Sequence, residues 1–398
     1  MLKIEANRLE LLSAAQDAEK VAPTISPVKL LECALLTVED GRLTVCATNL
    51  ELCLERTIPV KLREEGTVAV NAILLSSMLR LLPGDTVTLT QTDNASVTLS
   101  AGDTVYSVMT QDPKEYPRLE IPFPEDTVTV SGLPAMTRRT AFATGADDKR
   151  PWMGCVHLTF ADSGLKAVGS DGLRIAEAKG ESKGGSVDLL LPAASLEKLA
   201  QMVSNKDEFQ VGITNNSVVF MKEGFLFSAR RMEGQYMDTE RVLAYAKPEF
   251  VLLTDAEVLR GTMNQAYTVT GDHNRFSMTF NGGSVRMTCD SEYGNSSTEL
   301  EAVALTGTPT GTYWYSPDKL MACFRALSGT VMLKVCQMGA LVMETDELTC
   351  MQMAMREPSP YVAPAPKEVE SVEKAAKKSA AKASTKKKQA GPPKKEAA

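Results

Sequence analysis

The sequence is poor in the residues and motifs that most catalytic and metal sites need. Among its 398 residues only His157 and His273 are histidines, and its eight cysteines form no C-x-x-C pair. It has no G-x-x-x-x-G-K-[ST] or G-x-G-x-x-G motif, so it lacks the common phosphate-binding loops. These absences argue against a histidine-based triad, a multi-histidine metal centre and a nucleotide site. We therefore expect no catalytic residue, no cofactor and no metal, and a chain that is not an enzyme.

Long apolar runs are also missing. No stretch of 18 apolar residues occurs, which predicts no membrane-spanning helix. Charges at Lys3 and Glu5 interrupt what would be the apolar region of a secretion signal. Most of the cysteines lie in apolar runs, a pattern that favours buried free thiols in a reducing compartment over disulfides or zinc ligands. We expect a cytoplasmic protein.

The charge is unevenly distributed along the chain. The net charge is −7, yet the segment from Lys367 to the end holds ten lysines and four glutamates, a net +6, so the rest carries −13. A simple nucleic-acid-binding domain is usually basic, whereas the part of this chain before Lys367 is acidic. Any contact with DNA would have to depend on a local surface or on geometry.

Internal repetition is the strongest pattern in the sequence. Similar strand-and-turn segments begin at Leu43, Leu165 and Val285, at intervals of 122 and 120 residues, and an amphipathic helix followed by three alternating strands recurs at 71–108, 192–229 and 316–354. We predict an α+β fold of three tandem copies, each with two helices on antiparallel sheets. The predicted domains are 1–122, 123–246 and 247–357, followed by a disordered Lys/Ala/Pro-rich tail over 358–398.

Capping residues support the helices of this pattern. Asn7 and Asn71 are expected N-caps, Ser316 precedes a proline at a first helical position, and Thr254 with Glu257 forms a capping box. Each places a helix start inside the threefold repeat.

Five short motifs, in order on this repeat, resemble the bacterial beta sliding clamp family of replicative DNA polymerase. They are Thr48-Asn49-Leu50-Glu51-Leu52, Glu115-Tyr116-Pro117-Arg118-Leu119, Ser170-Asp171-Gly172-Leu173-Arg174-Ile175, Asp238 with Arg241-Val242-Leu243, and Met353-Ala354-Met355-Arg356. The resemblance covers residues 1 to about 357. It implies a processivity factor: a head-to-tail dimeric ring that encircles double-stranded DNA irrespective of sequence and tethers the polymerase.

The resemblance implies a DNA-facing inner wall made of helices and adjoining loops. A ring holds DNA topologically, so an acidic body is compatible with a locally basic channel. The candidate DNA-facing residues are Arg80, Arg138, Arg139, Lys149, Arg150, Trp152, Lys198, Lys319 and Arg325. Alternatively, each of these charged residues is an ordinary solvated side chain. The alternative for Trp152 is a purely structural role.

The resemblance also implies a partner-peptide groove between the second and third domains. Its lining would be Met153, Ser170, Leu173, Arg174, Ile175, Met237, Arg241, Val242, Met351, Met353, Ala354 and Met355. Methionines make an adaptable apolar surface, although they could equally be core residues, and Arg174 and Arg241 would shape the rim. Leu173 replaces the usual histidine of the family, and Met237 and Ala354 replace prolines, which predicts a more apolar groove with a less rigid rim.

For ring closure, the resemblance implies an edge strand at Tyr106 and Val108 that meets Tyr267, Thr268 and Val269 of a second copy. The alternative is that Tyr106 and Val108 face their own core. The implied partners are the polymerase catalytic subunit, the clamp loader, other replication and repair proteins and a second copy, with no membrane. Two further alternatives remain open: a divergent clamp paralogue with altered partners, and a monomeric peptide-binding adaptor. For the lysine-rich tail, a tether and a solubility extension are both open.

Overall fold

The computed structural model describes residues 2–91, 95–119, 121–122, 124–147, 149–162, 164–214, 216–272 and 274–359. His273 and the predicted tail from residue 360 onward lie outside the described residues. Within the described part of the chain, no helix is long and apolar enough to cross a membrane.

One order of elements occurs three times: strand, helix, five strands, helix, three strands. The first unit consists of β1 (Lys3–Asn7), α1 (Arg8–Val21), β2 (Cys33–Glu39), β3 (Arg42–Thr48), β4 (Leu52–Pro59), β5 (Lys61–Glu64), β6 (Gly66–Asn71), α2 (Ala72–Leu81), β7 (Thr86–Gln91), β8 (Ser96–Ala101) and β9 (Thr104–Gln111). The second consists of β10 (Val128–Val130), α3 (Leu133–Thr140), β11 (Cys155–Ala161), β12 (Gly164–Ser170), β13 (Arg174–Gly180), β14 (Ser182–Lys183), β15 (Val187–Pro192), α4 (Ala193–Ala200), β16 (Phe209–Thr214), β17 (Ser217–Lys222) and β18 (Phe225–Arg230).

A short helix, α5 (Thr239–Tyr245), follows the second unit. The third unit consists of β19 (Pro248–Asp255), α6 (Ala256–Ala266), β20 (Arg275–Asn281), β21 (Ser284–Ser291), β22 (Gly294–Glu301), β23 (Val303–Thr306), β24 (Thr310–Tyr315), α7 (Pro317–Ala326), β25 (Thr330–Cys336), β26 (Leu341–Glu344) and β27 (Leu348–Gln352). The predicted threefold α+β architecture is confirmed, while the domain limits at single-residue precision stay predictions.

The helix starts follow the local chemistry of the sequence with two differences. Asn7 accepts hydrogen bonds from the amides of Leu9 and Glu10, and Asn71 accepts one from Leu74, as expected for N-caps. At α6 the cap is Asp255, whose carboxylate takes two backbone amides, so the predicted Thr254 capping box is wrong by one residue. Ser316 does occupy the N-cap position of α7, but its side chain makes no capping hydrogen bond.

The sheets cross the borders between units. The antiparallel pairing of β18 with β4 joins the first two units into one 14-stranded sheet, and the pairing of β13 with β27 joins the second and third into a nine-stranded sheet. A four-stranded sheet, ordered β22-β21-β20-β24, completes the third unit. Both joints use the same two strands of the repeat, its fourth and its ninth.

The helices of each unit pack in pairs, α1 with α2, α3 with α4 and α6 with α7. Neighbouring pairs also touch: Lys20 at the end of α1 donates a 2.9 Å hydrogen bond to the carbonyl of Gln201, which caps α4. The buried apolar faces of these six paired helices form a continuous core with the sheets. All eight cysteines are free and buried, as predicted.

Candidate functional site

The turn between β12 and β13 is held by one aspartate. Asp171 Oδ1 accepts the amides of Leu173 at 2.9 Å and Arg174 at 3.0 Å. Its Oδ2 lies 3.2 Å from Arg174 Nε and also accepts a hydrogen bond from the Lys319 ammonium group of α7. Because Lys319 belongs to the third unit, this side chain ties the turn to both units, and Leu173 is left 53% exposed at its tip.

Below this turn lies an apolar surface at the joint between β13 and β27. Ile175 and Met351 face each other there and are buried. Around them pack Met237, Val242 and Met353, each half-buried. We call this set the groove floor. It unites five predicted groove residues, distant in sequence, in one cluster at the border of two units.

The remaining predicted groove residues surround the floor in different ways. Ser170 is buried and donates a 2.8 Å hydrogen bond to the Arg174 carbonyl, whereas Ala354 packs against the main core. Met153 is buried with its methyl group 3.2 Å from where a side chain at Gly172 would begin. Arg241 is exposed and stacks on Tyr245, and Met355 is half exposed while its amide bonds the Trp314 carbonyl at 2.7 Å.

Three of the predicted site residues make specific contacts within the protein, and their predicted roles stay predictions. Lys319, predicted to face DNA, pairs with Asp171 of the β12–β13 turn. Arg174, predicted as a rim residue, is a largely covered link that pairs with Asp171 and stacks on Phe142. Trp152, predicted to face DNA, packs edge-on against Tyr236 with ring centroids 5.4 Å apart, a contact that fits the alternative of a structural tryptophan.

The other predicted DNA-facing residues stay on or near the helices. Arg138 and Arg139 of α3 and Arg325 of α7 line one open cavity between the two helices. Arg138 and Arg325 are exposed there, but Arg139 pairs with Glu347, which neutralises its charge. Arg80 is exposed on α2 and Lys198 half-buried on α4. Lys149 and Arg150 are exposed in a loop where Arg150 pairs with Asp147 at 2.7 Å.

Strand β9 has an open edge. It pairs with β8 along its length but touches β6 only through Thr110 and Gln111. Tyr106 and Val108 pack, half-buried, against the core of their own chain, which fits the alternative interpretation, and the exposed apolar side chains of β9 are Val105 and Met109. What β9 offers a partner is therefore its backbone edge and the flanks of these side chains.

Sequence reasoning missed the second open edge, β22. In the described part of the chain it pairs only with β21. The residues predicted to close the ring lie at the adjacent C-terminal end of α6, where Thr298 of β22 donates a 3.0 Å hydrogen bond to Gln265. Tyr267 there donates a hydrogen bond to Asp318, and burial together with this carboxylate raises its pKa to about 12. Thr268 is exposed and Val269 half-buried.

One group of side chains could hold a metal ion. Within the described residues, the thiols of Cys46 and Cys53 and the carboxylate of Glu55 lie within 4.8 Å of one another on the first unit. Nothing in the sequence pattern indicated this cluster, because its members belong to two strands without a recognisable ligand spacing.

Comparison with known proteins agrees with the resemblance. The profile of the DNA polymerase III beta subunit N-terminal domain matches residues 2–120, and that of its central domain matches 127–238. A beta sliding clamp of Lactococcus lactis is 26% identical over 318 residues, which span 76% of this chain and 82% of the relative.

Solved structures show the same fold. The sliding clamp of Bacillus subtilis superposes with a TM-score of 0.82 at 18% identity, over 90% of this chain and all of that one. A Pseudomonas aeruginosa sliding clamp bound to griselimycin reaches 0.81 at 18% identity, over 89% and 99%. Since two profiles of one family together match more than half of the residues, the chain belongs to the bacterial DNA polymerase III beta subunit family, the beta sliding clamps.

Proposed function

We propose that two copies of this chain close head to tail into a ring that encircles duplex DNA and acts as a processivity factor. The observation that carries this proposal is that, among the described residues, a fourth strand joins a ninth strand twice and one strand of each kind stays open. The free ninth strand is β9, and the free fourth strand is β22. A joint between β9 of one copy and β22 of the other repeats the internal joints, and two such joints complete a closed dimer.

The internal joints also suggest the register of this closure. Arg230 N donates to Glu51 O, and Met353 N donates to Leu173 O, both at 2.9 Å. Phe225 and Thr104 are the first residues of β18 and β9 after their hairpin turns, so they correspond. Arg230 lies five residues after Phe225, and Met109 lies five residues after Thr104. Glu51 and Leu173 directly precede β4 and β13, as Tyr293 precedes β22. The expected bond therefore runs from Met109 N to Tyr293 O of the second copy.

Burial along the two open strands supports this register. It places Thr104 opposite Thr298 and Tyr106 opposite Ser296, and all four residues are half-buried on the side of the helices. The exposed Val105 would oppose the exposed Ser297. In this register the half-buried residues of both strands lie on the same face of the sheet. A shift by one residue would place half-buried residues of one strand opposite exposed residues of the other.

The proposed ring explains how an acidic body can serve DNA. Strong phosphate contacts make binding salt-dependent and would hold a moving clamp in place. Encirclement needs only weak contacts, and Arg80, Arg138, Lys198 and Arg325 would supply them from the helical wall. We further infer a non-catalytic subunit of the cytoplasmic polymerase holoenzyme, since the groove and edges serve binding.

The groove floor is the inferred docking site for the polymerase, the clamp loader and other replication and repair proteins. It is apolar, built at the border of two units, and has Leu173 at its rim. Its methionines allow it to adapt to several peptide segments. Tyr236 and Leu243 pack against the same cluster and extend its inner lining.

Retention on DNA of different topology tests this function. Labelled protein is loaded by a matching clamp loader onto nicked circular plasmid and separated by gel filtration, and then the plasmid is cut once. We expect the protein to stay with circles and to leave linear DNA. Equal retention on both would indicate adhesion instead of encirclement, and a monomeric adaptor would not be retained on either.

A divergent paralogue would pass that test but differ in its partners. Its distinguishing result would be stable retention on circles without measurable binding of any replicative polymerase tail peptide. The replaced residues Leu173, Met237 and Ala354 motivate this second candidate.

A further inference from the structure

The outer face of the first joint carries a cluster of thiols that the clamp function does not use. Cys46 of β3 and Cys53 and Glu55 of β4 project from the same side of the sheet, and their ligand atoms lie within 4.8 Å of one another. Both thiols are buried, with Cys46 9% exposed, and Glu55 is half-buried. Tyr116, in the segment that leads to the second unit, packs over them and donates a 3.2 Å hydrogen bond to the Cys33 carbonyl.

The internal repeat provides a control for this cluster within the same chain. The hairpin pairs Thr48–Cys53 and Ser170–Ile175 fix an offset of 122 residues between the first two units. Ile175 of the groove floor and Val168, which belongs to the same buried cluster, therefore correspond to Cys53 and Cys46. At these positions the second unit has two branched apolar side chains, which pack and bind no ion.

The first and second units both have a glutamate at this position, but only the second unit has a lysine beside it. Glu177 corresponds to Glu55 and has Lys166 within 3.3 Å. The residue at the Lys166 position in the first unit is Thr44, whose hydroxyl is hydrogen-bonded to Thr57 at 3.1 Å. Among the described residues, Glu55 has neither a salt bridge nor a side-chain hydrogen bond. The first unit has thus exchanged a lysine and two apolar residues for two thiols beside an uncompensated carboxylate.

We propose that Cys46, Cys53 and Glu55 bind one divalent cation of the zinc class. Two thiolates and one carboxylate form a ligand set typical of zinc, whereas Ca²⁺ and Mg²⁺ prefer oxygen ligands alone. Zinc takes sulfur at about 2.3 Å and carboxylate oxygen at about 2.0–2.2 Å, so the ligand atoms need to approach by roughly 1 Å. Rotation of the side chains provides this, and water would fill the fourth position. Cys33 is not a ligand, because its thiol is directed to the Lys29 carbonyl at 3.6 Å.

The position of the site suggests what the ion does. Cys53 lies opposite Ser228, and Glu55 opposite Leu226, so the ion would sit on the joint between the first and second units. It would link β3 to β4 directly below the segment that contains Tyr116. The ion would lie on the face of the sheet opposite the helices, whose apolar residues form a separate cluster.

Metal titration of the full-length protein tests the proposal. The reduced protein is stripped with a chelator, and Co²⁺ is added, followed by Zn²⁺. We expect a thiolate-to-cobalt charge-transfer band that saturates at one equivalent per chain and disappears when Zn²⁺ replaces Co²⁺. Absence of this band in the unmodified chain would overturn the proposal.

The second unit supplies the substitutions for the main variant. The double variant C46V/C53I carries the side chains of the second unit and should fold, as circular dichroism would confirm, but lose the band. E55Q should weaken Co²⁺ binding at least tenfold, since it removes the charged ligand. The matched control is C323A, which breaks the other close thiol pair, Cys323 with Cys350, and should keep the band. A band that survives in C46V/C53I or vanishes in C323A would contradict the assignment.

Discussion

A single residue, Asp171, holds together the turn beside the proposed groove. Asp171 binds two amides of its own turn, the Arg174 guanidinium and the Lys319 ammonium. The turn itself could be predicted from the Ser170-Asp171-Gly172 pattern, because an aspartate before glycine commonly bonds the following amides. The partnership with Lys319 could not, since 148 residues separate the two side chains and only the packing of α7 brings them together.

Leu173 offers the cleanest test at this scale, because it is half exposed and supports no core. We expect Leu173→Ser to weaken binding of a polymerase tail peptide by about 1–2 kcal/mol, roughly five- to thirtyfold, through the loss of apolar contact. Fluorescence polarisation measures this effect. The matched control is Leu50→Ser, in the corresponding turn of the first unit and equally exposed, which should leave affinity unchanged. If both variants bind as the parent does, the peptide docks elsewhere.

Strands and helices were more predictable than side-chain partners. The apolar periodicity placed the recurring helix and its three strands correctly in all three units, and Asn71 and Ser316 marked the starts of α2 and α7. The open edge of β9 was also expected, but β22 was missed, because no composition marks an edge strand whose neighbour is absent. The joining role that we propose for β22 follows only from a comparison of the joints β18–β4 and β13–β27.

For the strand β9, we expect dimerisation to depend on a backbone N–H group. Thr110 N donates towards β8, to the carbonyl of Ala95, so Met109 N points to the open side. Met109→Pro removes this donor, and we expect a shift from dimer to monomer in sedimentation velocity at micromolar concentration. Met109→Ala keeps the donor and should remain dimeric. A dimeric proline variant with native circular dichroism would show that β9 does not form the joint.

For the molecule as a whole, repetition explains the fold and motivates the proposed assembly. Three similar units share sheets through a common joint, and within the described residues one strand of each type is left without such a joint. The size of the repeat and the family resemblance could be read from the sequence, but the identity of the joint strands depends on long-range pairing. The comparison between units also separates features that they share, such as the glutamates Glu55 and Glu177, from features found in one unit, such as the thiol pair beside Glu55.

The register of closure can be measured by cysteine cross-linking. In the proposed joint, Thr104 opposes Thr298 in a pair that is not hydrogen-bonded, where side chains approach most closely. The eight native cysteines are buried and should not interfere. We expect the double variant T104C/T298C to form a covalent dimer on mild oxidation, visible on a non-reducing denaturing gel and reversed by reductant. T104C/N295C, three residues out of register, should remain uncross-linked. No covalent dimer from T104C/T298C, or equal yields from both variants, would contradict a ring closed by β9 and β22.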